Sequence, residues 1–281
     1  MTPKATVARQ LSIVALFAMT LSASSCSAQD NITKYVRYSH DGAVAYGILE
    51  GETIRELDGD PFSSPNPTGV SVQLGEVQLL APCEPSKVIA VGLNYQSHLG
   101  EREPAEYPGL FTKYPTSIVG PEADIVMPGG STNLHYEGEL VIVIGRTAKD
   151  VPVEEAAQYV FGVTAGNDIS ERDWQRADLQ WFRAKASDTF GPIGPAIVTG
   201  LDPNNLLVQT RLNGEVRQSE RSSDLLFDIE TIVSYVSTYV TLVPGDVIFT
   251  GTPGTTAAMQ PGDVVEVEVE GVGVLRNTVR R

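Results

Sequence analysis

Cysteine is nearly missing from this sequence: Cys26 and Cys83 are the only two among 281 residues. Cys26 falls in a segment read below as a leader, so the folded part has no internal disulfide framework. Cys83, in APCEP ahead of a predicted strand, reads as a small buried residue, and nothing near it would activate a thiolate. Positive charge is also scarce. Twenty Lys and Arg face 35 Asp and Glu, for a formal net charge of −15. No basic stripe interrupts that balance, and such a surface repels phosphate backbones, so nucleic acid is excluded as a partner. No Rossmann or P-loop glycine fingerprint is present, and neither an internal repeat nor a low-complexity tract is evident. The apolar run Leu11–Leu21 is only eleven residues long, too short to span a bilayer as a stable helix.

That run has a different meaning. Lys4 and Arg9 precede it and the small residues ASSCSA follow, which is the three-part layout of a bacterial secretory signal. Two processing routes fit: cleavage after Ala28, or lipidation of Cys26 in Ala23-Ser24-Ser25-Cys26, a lipoprotein-like box without its usual leucine. Either route predicts export, to the periplasm or to a lipid-anchored place in the cell envelope. A membrane tether follows only if Cys26 is lipidated. Removing residues 1–28 takes away two bases and no acids, moving the net charge from −15 to −17.

What remains is globular in composition, 42% hydrophobic and 20% charged, with 26 Gly and 18 Pro scattered through it. That makes a turn-rich, strand-rich chain, large enough for one large domain or one large and one small. Residues 32–57 alternate around HDG and EGE turns and predict a small antiparallel unit. The loop 58–69, DGDPFSSPNPTG, is a candidate seam. SKVIAVGLNY (86–95) reads as a buried strand entering a turn, VEEAAQYVF (153–161) as a helix after Pro152, and WQRADLQWF (174–182) as another. The C-terminal third alternates strands with turns, including PGD at 244–246 and 261–263. The expectation is an α+β, strand-dominated chain: leader 1–28, small N-terminal subdomain 29–82, catalytic domain 83–281.

Residues 134–145, LHYEGELVIVIG, raise the first chemical question. Alternate strand residues share a face, so Glu137 and Glu139 point the same way, in parity with Val141 and Val143. The opposite face carries Tyr136, Leu140, Ile142 and Ile144. Both faces are apolar, as in a strand covered on both sides. Two carboxylates there are costly without a cation, unless the strand emerges into solvent before Val141. VVEVEVE (264–270) is the internal contrast, with valines on one face and glutamates on the other, as ordinary half-solvated alternation.

Two same-face glutamates can converge on a hard divalent cation if a third acid arrives from elsewhere. Asp168 in AGNDISERD is the candidate, although an aspartate at a strand-to-helix junction also serves as a cap. Glu171 and Asp173 read as members of the helix that follows. In VGLNYQSHLGERE (91–103), His98 and Glu101 lie three apart and share a face if the segment is helical. Such a pair is either a general base fixed by a carboxylate or two surface neighbours. Of the other histidines, His40 lies in a turn and His135 precedes the glutamate strand.

In chain order, GLNY-x-x-H-x-x-E, LF-x-K, Y-E-x-E-L, NDIS-x-RD-x-Q, K-x-x-D-T-F-x-P-x-GP, NGE-x-x-Q and L-x-PGD-x-I-x-TGTP span about residues 86 to 277. Together they strongly resemble the fumarylacetoacetate hydrolase family. The resemblance implies a mixed β-sheet roll with a small N-terminal β subdomain. It implies Mg²⁺ or Mn²⁺, with Ca²⁺ a third candidate, held by Glu137, Glu139 and Asp168. His98 and Glu101 match the water-activating dyad, and Lys185 the lysine that counters enolate charge. Gln175, Thr250 and Gly251 match substrate-contacting positions. Arg172 and Lys113 fit motif positions that a structural ion pair explains equally well. The implied activity is hydrolysis of a carbon–carbon bond in a 2,4-dioxo acid such as an acylpyruvate or fumarylpyruvate, by a homodimer. An isomerase or decarboxylase of hydroxymuconate- or oxaloacetate-type 2-oxo acids is the alternative within enzymes, and a non-catalytic envelope metal- or ligand-binding protein the alternative outside them. After TGTP the chain reads GTTAAMQPGD, which departs from the family's glycine-rich continuation and leaves specificity open.

Overall fold

Thr33–His40 and Ala43–Glu50 form a hairpin closed by Asp41 and Gly42, both at positive φ (50° and 81°). That is the turn geometry an Asp-Gly pair favours, because its twist matches that of the flanking strands. The computed structural model describes residues 1–2 and 32–281; the rest of the leader, Cys26 included, lies outside the described residues. Thr53–Leu57 and Pro67–Gln73 extend the hairpin antiparallel. This unit is not detached. Thr33–Tyr35 pair with Ile197–Thr199 of the strand Gly191–Thr199, so the N-terminal strands continue the main sheet. The loop 58–69 is not the seam, since it lies inside the N-terminal unit, between two of its paired strands.

Beyond Gly191–Thr199 the same sheet runs through Val160–Asn167, Gly138–Ile144, Val247–Phe249, Val88–Gly92 and Gly109–Lys113. A second sheet is built from Glu215–Arg221, Leu207–Leu212, Val264–Val269, Gly273–Arg280 and Asp124–Val126. The fold is strand-dominated and mixed: most pairs are antiparallel, while Val247–Phe249 runs parallel to Val88–Gly92. In Val264–Val269, valines 265, 267 and 269 are buried and Glu266 and Glu268 are half-exposed. No chemistry is asked of them.

Gly138–Ile144 is buried at every residue. Leu140, Ile142 and Ile144 join one core, packed with the helix Ile229–Tyr239, which buries Ile229, Ile232, Val233 and Val236 at helical spacing. Asp228 caps that helix by accepting from Thr231 N at 2.8 Å. Val141 and Val143 join another core, with Val88, Ile193 and Phe249. Full burial of each such side chain stabilises by roughly 1.5–3 kcal/mol, which fixes the strand rigidly. Cys83 is buried in this second core, and burial pushes its thiol up to about 12.

Two helix expectations are corrected. Residues 153–161 give only a short helix, Val153–Ala156, and a tight turn, Ala157–Tyr159, before the strand Val160–Asn167 takes Val160 opposite Ile144. Residues 174–182 are split between Arg172–Ala177 and Phe182–Ala186. Asp178 leaves the first helix in extended backbone, and its carboxylate accepts from Arg183 Nε and Nη2 at 2.7 and 2.8 Å.

Candidate active site

The strands Gly138–Ile144 and Val160–Asn167 are antiparallel neighbours with Gly138 opposite Asn167 and Glu139 opposite Gly166. The start of one and the end of the other therefore meet, and Asp168, just past the second, is delivered to the glutamates. Asp168 N donates to the Glu137 carbonyl at 2.8 Å, and Glu137 N donates to Asn167 Oδ1 at 2.9 Å. The carboxylates of Glu137, Glu139 and Asp168 each bring an oxygen within 4.8 Å of the others. These residues are 4%, 1% and 1% exposed, so the strand does not emerge into solvent at this point.

Three cations balance the three acids unevenly. Lys185 Nζ donates to Glu137 Oε2 at 2.5 Å and to Asp168 Oδ2 at 2.6 Å. Lys113 Nζ donates to Asp168 Oδ1 at 2.5 Å and to the Lys185 carbonyl. Arg172 Nη2 donates to Glu137 Oε1 at 2.5 Å and to Thr256 Oγ1 at 2.9 Å, while Nη1 donates to Gln175 Oε1 at 2.8 Å. Glu139 receives only the Gly251 N–H, at 2.7 Å, and among the described residues no cation stands within ion-pair distance of it.

The titration shifts follow from that asymmetry. Burial would raise Glu137, but Lys185 and Arg172 outweigh it and hold the carboxyl below its ordinary value. Burial raises Glu139 well above its ordinary value, and Asp168 and Glu137 push the same way. Lys113 is lowered by burial, against the pull of Asp168. Lys185 is raised, because Asp168 and Glu137 overcome its burial. A buried carboxylate short of positive charge, beside two more oxygen donors, fits a hard divalent cation.

His98 sits on the helical turn Gln96–Leu99. Its Nδ1 lies 2.6 Å from the Gly254 carbonyl, which can only accept, so the proton is on Nδ1. Nε2 faces the carboxylate cluster, 3.7 Å from Glu137 Oε1. Glu101 does not share this turn. The helix ends at Leu99, Gly100 takes φ 70°, and Glu101 lies exposed beyond it. No hydrogen bond or ion pair joins it to His98 among the described residues. The dyad is therefore not assembled here, and Gly254 holds the imidazole instead.

The other expected positions divide. His98, Glu137, Glu139, Asp168, Arg172, Gln175 and Lys185 line one cavity of about 460 Å³. Lys113 stands behind it as a support for Asp168 and for the Lys185 carbonyl. Thr250 is turned away: its Oγ1 donates to the Leu140 carbonyl at 2.9 Å. Gly251 orients Glu139, and the loop meets the cavity further on, at Thr252, Gly254, Thr255 and Thr256.

Several contributors were not singled out from sequence. Gln218, inside the NGE-x-x-Q motif, accepts from Gly138 N at 3.1 Å and donates to Thr252 Oγ1 at 2.8 Å, tying the glutamate strand to the loop. His135, which the sequence placed ahead of the glutamate strand as either a support or simple packing, contacts Thr256 Oγ1 and Asn133 Oδ1, both at 2.8 Å, and so stands one layer behind Arg172. Leu93, Phe111 and Trp181 form an apolar wall. Leu93 holds φ 59°, a strained backbone for a leucine, and its place in a GLN turn was the available signal.

A buried Glu-Glu-Asp group at one end of a mixed sheet could hold a metal ion, and comparison with known proteins gives the family. Residues 87–280 match the fumarylacetoacetate (FAA) hydrolase C-terminal model, and residues 33–82 match the Rv2993c-like N-terminal model. The chain belongs to the fumarylacetoacetate hydrolase family. Protein Rv2993c of Mycobacterium tuberculosis is 46% identical over 256 residues, covering 86% of this chain and 96% of that protein. The human mitochondrial oxaloacetate tautomerase FAHD2A is 43% identical over 220 residues, 73% of this chain and 70% of that one. A crystal structure of 5-carboxymethyl-2-hydroxymuconate delta-isomerase from Mycobacterium smegmatis superposes with a TM-score of 0.84 at 47% identity, over 88% of this chain and 99% of that one.

Proposed function

We propose that this protein is a divalent-metal-dependent enzyme that shifts a proton along a 2-oxo acid through its enol form, as a tautomerase or double-bond isomerase. The observation that carries this reading is His98: one imidazole, fixed in one tautomer by Gly254, with its basic nitrogen beside the carboxylate cluster. Glu137, Glu139 and Asp168 would hold the ion, which when bound supplies Lewis acidity and a template for the vicinal oxygens of a 2-oxo acid. His98 Nε2 takes the proton from the carbon next to the keto group. The electron pair left behind moves onto the 2-oxygen, where the Lys185 cation counters it. The proton returns to that oxygen in a tautomerisation, or to a carbon further along a conjugated chain in an isomerisation. The relatives named as an oxaloacetate tautomerase and a hydroxymuconate isomerase support this chemistry.

Hydrolysis of a carbon–carbon bond is the second reading, favoured by the position of Glu101 only three residues from His98 on an exposed segment. Catalytic hydrogen bonds often tighten only with substrate, and activating water requires this segment to bring Glu101 onto the imidazole. We place the activity outside the cytoplasm, on the strength of the leader-like residues 1–28, and in a homodimer, on the family resemblance.

The deciding experiment supplies oxaloacetate, hydroxymuconates and acylpyruvates with Mg²⁺ or Mn²⁺ and identifies the products. Enol–keto or double-bond interconversion is expected. Carbon–carbon cleavage that is also lost in Glu101→Gln would move the assignment to hydrolase, and no turnover of any of them would remove both.

A further inference from the structure

Arg102 lines the cavity with His98 and Arg172. Its Nε donates to the Leu99 carbonyl at 3.0 Å, at the end of the turn that carries His98. That bond anchors the side chain and leaves both terminal nitrogens without a protein acceptor among the described residues. Its chain neighbours Glu101 and Glu103 are exposed and do not pair with it. The other two cations at the cavity are engaged: Lys185 by Glu137 and Asp168, Arg172 by Glu137, Thr256 and Gln175. Arg102 is exposed at the edge of the cavity, and a guanidinium there whose terminal nitrogens pair with no carboxylate among the described residues is available to a ligand.

We propose that Arg102 sets specificity by pairing with a second carboxylate, at the far end of the substrate from the keto acid, so that the protein selects 2-oxo dicarboxylic acids over monocarboxylic ones. This rests on the 2-oxo acid reading above and narrows it. A planar guanidinium with two free N–H edges matches a carboxylate in bidentate geometry, which a methyl terminus cannot use. The apolar wall of Leu93, Phe111 and Trp181 would cover the carbon chain between the two charged ends. A cavity of about 460 Å³ is in the usual range for a small ligand. Where that contact is made equally in the ground and transition states it lowers KM rather than raising kcat.

The test is calorimetric binding of two acids of equal chain length, 2-oxoglutarate and 2-oxopentanoate, to the Mn²⁺-loaded protein and to Arg102→Gln and Arg102→Lys. The wild type is expected to bind the diacid at least about tenfold more tightly, as for a hydrogen-bonded charge. The preference should vanish in Arg102→Gln and return in part in Arg102→Lys, with Mn²⁺ affinity and melting temperature unchanged in both. Equal affinity of the wild type for the two acids, including no binding of either, overturns the proposal, as does a preference that survives Arg102→Gln. Failure of the enzymatic reading shows elsewhere: selective binding of the diacid without any turnover would keep Arg102 in its role and remove the reaction.

Discussion

Glu139 is the carboxylate on which the centre turns, because Lys185, Lys113 and Arg172 reach the other two acids and leave it to one backbone N–H. Its folded-state value is raised, so any stability it offers is present at low pH and lost as pH rises through that value. At neutral pH the metal-free protein thus carries a cost that a neutral isostere removes. Glu139→Gln is expected to raise the melting temperature of the metal-free protein and to abolish the further rise that Mn²⁺ gives the wild type; thermal scans with and without Mn²⁺ check both. His98→Ala should leave Mn²⁺ affinity intact and reduce turnover by about 10²–10⁴-fold, the usual contribution of a positioned base; an unchanged rate would retire His98. Gly251 takes φ 108°, and a Cβ there would stand 2.7 Å from Asn94 Cβ. Gly251→Ala should therefore weaken Mn²⁺ binding by displacing the N–H that holds Glu139, measurable by titration. At this scale the acids were legible, since strand parity and motif order both pointed to them. Glu101 was misplaced because a single glycine ends the helical turn before it, and spacing alone does not reveal a φ. Thr250 lies off the cavity because its hydroxyl is spent on the Leu140 carbonyl, a partner 110 residues away that a TGT loop does not announce.

Among the elements, a buried amide ties the TGTP loop to the segment that leads into the long helix. Asn94 Nδ2 donates to the carbonyls of Phe227 and Thr250 at 3.0 and 2.8 Å, and its Oδ1 accepts from Phe227 N at 2.8 Å. Asn94→Ala leaves those groups without partners, each worth about 1–3 kcal/mol when buried, so urea unfolding should show a large loss of stability. The asparagine stood in plain view in GLNY, but its partners lie more than 130 residues away and no local pattern discloses them. Alternation made the strands readable for the converse reason, since a strand's faces are written in consecutive residues. The reading of 153–161 as a helix failed because pairing with Gly138–Ile144 overrode a weak helical preference.

For the molecule as a whole, acid sensitivity follows from His135. Burial, with Arg172 beside it, lowers this imidazole to about 4 from an ordinary 6.5, so the folded protein keeps it neutral while the unfolded chain binds a proton. The folded state is fully favoured above about pH 6.5 and loses ground as pH falls from there toward 4. His135→Gln should flatten part of that slope, read as the difference between urea midpoints at pH 7.5 and 5.5 in variant and parent. The sequence suggested a small N-terminal unit but not how it joins the rest, because the pairing partners lie more than 150 residues away. Ile197–Thr199 accept the first strand as a neighbour, so the two stretches recognised by separate family models share one hydrogen-bonded fabric. Anyone expressing the carboxylate-bearing part alone, from residue 83 onward, would leave a raw selvedge of open amides and carbonyls along that strand, and the shortened polypeptide would clump with its own copies before it could work.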